Sequence, residues 1–124
     1  MMRKLVEIDI SEEADEELRE LKRKVKEDKK NGLKNSQSIQ LLNSFNRSIQ
    51  NLKNSPICGT HIPKENIPKK FVQKWDIDNL WKIDLTNYWR ILYTLETNVV
   101  KIKAIVLCIT DHKKYNKLFG YKKK

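Results

Sequence analysis

The sequence predicts an α+β fold in which an N-terminal strand and an α-hairpin pack on an antiparallel β-sheet with a three-stranded meander. Three observations lead there. Two stretches in the first half repeat apolar residues at helical spacing, stretches between residues 80 and 109 alternate at strand spacing, and the three prolines fall between the two groups. A chain of 124 residues is expected to form one domain over 1–124, since a core of this size buries about two thirds of the unfolded surface without covalent staples.

From Arg3 to Ile10 the residues alternate, Leu5 with Arg3 and Glu7 on one side and Val6, Ile8 and Ile10 on the other, which predicts a short strand. Ser11 then offers an N-cap, and Glu12, Glu13, Asp15, Glu16 and Glu17 place negative charge where the helix dipole favours it. Ala14, Leu18, Leu21 and Val25 supply the apolar stripe of this first helix, lysines and arginines load its C-terminal half, and Asn31 and Gly32 end it. A second helix starts near Ser36 or Ser38, carries Ile39, Leu42, Phe45, Ile49 and Leu52 on one stripe, and stops at Asn54, Ser55 and Pro56.

Residues 54–71 hold Pro56, Pro63, Pro68 and Gly59, so this stretch reads as a crossing loop and not as regular helix or central strand. Three strands follow, Leu80 to Leu85, Tyr88 to Leu95 and Val99 to Ile109. The first turn falls at Thr86 and Asn87 and the second at Glu96, Thr97 and Asn98. In the last strand Val100, Ile102, Ala104, Val106 and Cys108 fill one face while Ile105, Leu107 and Ile109 fill much of the other, the pattern of a central strand. The tail from Asp111 to Lys124 has no clear period and is expected to be a turn plus a short element.

The chain carries 26 Lys and Arg against 16 Asp and Glu, a formal charge of +10. Such a surplus concentrates polyanions, which puts nucleic acid first among partners; a lysine-rich composition inherited from an AT-rich genome is the competing explanation. Cys58 and Cys108 lie far apart and outside any C-x-x-C spacing, so neither a disulfide framework nor a zinc site is expected. The opening residues contain no long apolar run, which argues against a signal peptide or membrane span and for a cytoplasmic protein.

The hairpin Leu80-Trp81-Lys82-Ile83-Asp84-Leu85 followed by Tyr88-Trp89-Arg90-Ile91-Leu92-Tyr93 resembles that of the RelE/ParE superfamily of toxins, and of RelE/YafQ-like mRNA interferases in particular. Ile109-Thr110-Asp111-His112-Lys113-Lys114-Tyr115 is similar to the basic, histidine-containing C-terminal motif of that family. The likeness spans the whole chain in element order and individual residues between about 80 and 121. It differs at two places. The ribonuclease members carry a second lysine where Asp84 stands, and their C-terminal arginine is replaced here by His112 and Lys113, as in the histidine-dependent branch.

The resemblance implies a RelE-like fold and the toxin of a type II toxin–antitoxin pair. It further implies an endoribonuclease without metal or cofactor that cuts messenger RNA on the ribosome. Its partners would be a cognate antitoxin, mRNA and the ribosome, with no membrane, and its assembly a homodimer or a toxin–antitoxin hetero-oligomer. RNA cleaves when its own 2′-hydroxyl attacks the adjacent phosphorus. The protein then needs a proton carrier and positive charge aimed at the phosphorane.

His112 is the natural general base or acid, because imidazoles as a class exchange protons near neutral pH. Arg90, on a rigid strand, can aim a planar fork at a phosphate, with Lys82 one strand away and Lys113 as further cations. Tyr115 completes the catalytic candidates, as an orienting group or a stacking surface. Lys64, Lys69, Lys114 and Tyr121 are candidates for RNA binding. His61 is expected to be structural or exposed, Phe119 to anchor the tail, and Trp75, Trp81 and Trp89 to belong to the core. Two other readings stay open: a ParE-like topoisomerase inhibitor, and a catalytically silent RNA- or ribosome-binding protein.

Overall fold

Helix capping and strand alternation account for most of the architecture, which comes from a computed structural model describing residues 4–120. Arg3 and Tyr121, named above, lie outside the described residues. Helix α1 (Glu12–Lys30) starts where Ser11 Oγ accepts the Ala14 N–H at 3.1 Å, and the same hydroxyl donates to the Leu107 carbonyl at 2.6 Å. Helix α2 (Gln37–Asn54) is capped by Ser36, which accepts the Ile39 N–H at 3.2 Å and donates to Asp28 at 2.6 Å, joining the two ends of the α-hairpin. Ala14, Leu18, Leu21 and Val25 are buried as the spacing predicts; on α2 the buried face also takes in Leu41, Ser44 and Ser48.

The sheet has five strands in the order β1-β5-β4-β3-β2. Strands β3 (Trp81–Asp84), β4 (Arg90–Thr97) and β5 (Lys101–Thr110) form the expected antiparallel meander, and β1 (Leu5–Ile10) joins β5 in parallel, so the sheet is mixed. The proline segment adds β2 (Thr60–His61) at the far edge and a 3-10 turn, then gives way at Lys69 to a short helix, α3 (Lys69–Trp75). The tail forms α4 (His112–Leu118).

Helices α1 and α2 cover one face of the sheet over Ile91, Tyr93, Ala104, Val106 and Ile109; the opposite face gathers Phe71, Leu80, Leu92, Leu107, Cys108 and Tyr115. The strict alternation expected in the last strand fails. Leu92 pairs with Cys108 but Tyr93 pairs with Val106, so Leu107 is an extra residue. This β-bulge turns both Leu107 and Cys108 toward the second face.

The second strand of the meander also starts later than alternation suggests. Thr86–Tyr88 form a tight turn in which Asn87 (φ 57°) and Tyr88 (φ 64°) are left-handed, so Tyr88 is a turn residue and β4 begins at Arg90. Tyr93, fully buried, straps the proline segment to the sheet: its hydroxyl donates to the Pro56 carbonyl at 2.9 Å and accepts the Gly59 N–H at 3.1 Å. A Cβ on Gly59 would come within 2.6 Å of both the Lys82 carbonyl and that hydroxyl, so only glycine fits. Among the described residues no helix is long and apolar enough to cross a membrane.

Candidate active site

The bulge, the turn and the start of α4 bring one cluster together on the second face of the sheet. Arg90 opens β4 and stands in register between Asp84 on β3 and Thr110 on β5. Its guanidinium lies over the buried ring of Tyr115, 4.2 Å from the centroid, and Lys82 Nζ approaches the same ring at 5.7 Å. Tyr115 therefore supports two cations from below, and its ring stacks on Phe119 at 4.5 Å instead of lying open to a base.

His112, the first residue of α4, is exposed. Arg90 Nη1 lies 3.4 Å from its Nδ1, and the Asn116 side chain lies 3.2 Å from its Nε2, one helical turn on. A guanidinium only donates, and the Asn116 group at Nε2 is its amide nitrogen, also a donor, so a neutral ring accepts from Arg90 or from Asn116 according to its tautomer. Donors thus flank the ring at both nitrogens. The Tyr88 ring lies 5.8 Å from it, and the Tyr88 carbonyl lies 3.5 Å from Arg90 Nη1.

Asp84 tempers the positive charge. Its Oδ1 is 3.3 Å from Arg90 Nε and 3.9 Å from Lys82 Nζ. The approach to Arg90 is off the N–H axis, so the buried Nε makes no hydrogen bond and the attraction is purely electrostatic. Because the carboxylate is 68% exposed while Arg90 is only 15% exposed, water screens the acid more than the guanidinium.

Of the sequence candidates, Arg90, Lys82, His112 and Tyr115 converge, whereas the others do not. Lys113 is exposed and joins no described residue by a hydrogen bond or ion pair, and Lys114 is directed to Glu17 on α1 at 4.0 Å. Lys64, on the 3-10 turn after β2, and Lys69, the first residue of α3, are exposed, and among the described residues no hydrogen bond or ion pair joins either to the cluster. His61 rests edge-on against Trp81 at 4.9 Å, a structural role, while Trp81 and Trp89 pack on the main core and Trp75 against Phe71. Two neighbours were missed as site residues. Asn116 could be found from the i, i+4 spacing to His112 once α4 is assigned; nothing in the local sequence marks Tyr88, since its place depends on the turn geometry.

Both cysteines are free thiols. Burial pushes Cys108 up to about 12 and raises Cys58 less. Among the described residues no group of three His, Cys, Asp or Glu side chains could hold a metal ion.

No family model matches the chain, and no curated protein matches it by sequence. Among solved structures, the YoeB/ParE toxin from Agrobacterium tumefaciens is similar, with a TM-score of 0.50 over 84% of this chain and 98% of that one, at 14% identity. The fold is that of a RelE/ParE-like toxin. In this RelE/ParE-like fold the cluster around Arg90 and His112 occupies the sheet face opposite the α-hairpin, at the end of the meander where β4 starts and β5 ends.

Proposed function

We propose that the chain is the toxin of a type II toxin–antitoxin pair and an endoribonuclease that cuts messenger RNA on the ribosome. The observation that carries this reading is the 3.4 Å approach of the Arg90 guanidinium to the His112 imidazole, with Lys82 on the same tyrosine floor. A scissile phosphate placed on Arg90 meets a planar donor and a second positive charge on a rigid sheet. The unprotonated ring nitrogen of His112, released by its donor neighbour as that donor turns to the phosphate or to solvent, takes the proton of the 2′-hydroxyl as that oxygen attacks phosphorus. The bond to the departing 5′-oxygen then breaks and that oxygen takes a proton from a solvent water, whose hydroxide is neutralised by the proton His112 has gained, leaving a cyclic 2′,3′-phosphate and a free 5′-hydroxyl. The formal charge of +10 draws RNA to the protein, and an antitoxin that buries this face with acidic side chains would silence it.

A second reading, an RNA- or ribosome-binding protein without cleavage, draws on Asp84, whose pairing with both Lys82 and Arg90 lowers the charge available to a phosphorane. Incubation of the purified chain with translating ribosomes, followed by mapping of RNA ends, separates the two. Cleavage should fall about 100-fold or more in both Arg90→Ala and His112→Ala. Uncut RNA with salt-sensitive binding supports the second reading, and uncut RNA with growth arrest supports a ParE-like attack on a topoisomerase.

A further inference from the structure

The turn Thr86–Tyr88 is built against the local preference of its residues. Leu85 N–H bonds the Trp89 carbonyl at 2.7 Å and Trp89 N–H bonds Thr86 at 3.2 Å, which leaves Asn87 and Tyr88 as the two central residues of a tight hairpin. Both have positive φ, 57° and 64°. Asparagine tolerates that conformation, but the following position favours glycine, and a tyrosine there strains the backbone. The strain has no packing reward among the described residues, for Tyr88 is 75% exposed and its ring contact there is with His112, at 5.8 Å and 54°. An open cleft of about 580 Å³ lies beside it, lined by Asp84, Leu85, Asn87, Tyr88, Trp89 and Arg90.

A strained, solvent-facing aromatic ring fixed beside a guanidinium and an imidazole serves a ligand better than it serves the fold. We propose that Tyr88 is a positioning residue, the platform on which an unpaired base of single-stranded RNA stacks while its phosphate sits on Arg90. This inference rests on the nuclease reading and names the feature of the substrate that it grips. Every base has a flat face, so such a platform tolerates sequence and favours purines for their larger area. It demands single strands, because a paired base offers no free face.

The strain and the stacking make opposite demands on one residue, which gives a decisive comparison. The probe is a short single-stranded RNA with a fluorescent adenine analogue beside the cleaved phosphate, titrated into the full chain carrying Tyr88→Gly, Tyr88→Leu or Tyr88→Phe. The glycine variant should fold more stably, with its equilibrium shifted about tenfold toward the native state. It should bind the probe about ten- to a hundredfold more weakly. Tyr88→Leu should lose the quenching of the analogue, and Tyr88→Phe, which keeps the ring, should restore it. Cleavage at saturating RNA should fall far less in Tyr88→Gly than in Arg90→Ala. Wild-type binding and quenching in Tyr88→Gly, with Arg90→Ala inactive, would overturn the platform and leave the nuclease standing. An RNA that the wild-type chain neither binds nor cuts would overturn both.

Discussion

Removing the hydroxyl of Tyr93 tests how the proline segment is held on the sheet that carries the site. Tyr93→Phe deletes one donor to Pro56 and one acceptor for Gly59, at 2.9 and 3.1 Å, and leaves two half-exposed backbone groups without partners. Losing two such bonds costs about 1–2 kcal/mol at neutral pH. The phenol supplies a second, independent reading of the same bond. Burial pushes it from 10.0 to about 12, the Gly59 N–H partly opposes this, and nearby Cys58 adds to it. The ionised form is the disfavoured one in the native state, so the unfolded chain loses the proton first. Stability is therefore intact below pH 10 and falls as pH rises from 10 toward 12, by about 3 kcal/mol at most.

Phenylalanine has no proton to lose, so the variant starts less stable and then declines more gently through that window. Cys108 titrates in both proteins and cancels in the difference. Denaturant midpoints of the two proteins over a pH series measure this directly, with near-ultraviolet absorbance reporting tyrosinate. Stability curves that stay parallel between pH 10 and 12 would refute the reasoning, because the phenol would then be free to ionise in the folded state.

Other substitutions test the site and its supports. Asp84→Asn removes the carboxylate that neutralises Arg90 and Lys82, and should tighten RNA binding about two- to fivefold in a filter-binding titration at low salt, an effect that shrinks as salt rises. A thiol reagent at mild alkaline pH should label Cys58 in the native protein and Cys108 only after denaturant, since Cys58 is exposed and Cys108 is buried and raised to about 12. Ser11→Ala should lower the denaturation midpoint by the equivalent of about 1–2 kcal/mol, because the hydroxyl caps α1 and also holds the Leu107 carbonyl.

What could be read from residues alone was whatever obeys a short period or a cap. Ser11 and Ser36 open their helices as their types suggest, and the order of the meander follows from alternation around Thr86 and Asn98. The pairing of β1 with β5 needs the whole chain between them to be placed, so no local signal announces that it is parallel. Helices α3 and α4 escaped because each has seven residues, too few to display a period, and α3 begins at the edge of a proline-rich loop. The left-handed Tyr88 escaped because Asn87-Tyr88 lacks the glycine that advertises such turns. For the site, Arg90 and His112 were visible as chemical types, but their neighbours Tyr88 and Asn116 depend on the turn and on α4.

The extra residue at Leu107 has a consequence for inheritance. Were the same residues to run as an unbulged strand, Ala104, Val106, Cys108 and Thr110 would all look toward the α-hairpin, and α4 would leave the sheet from the wrong side. Deleting the Leu107 codon should instead leave Val106 and Cys108 as neighbours in a regular ladder against Tyr93 and Leu92, with the imidazole still beside the guanidinium. The bulge thus gives β5 one residue of slack: the strand can shed Leu107 and keep the two groups on which the proposed chemistry depends together, while a second deletion would reverse the face of everything that follows in the strand.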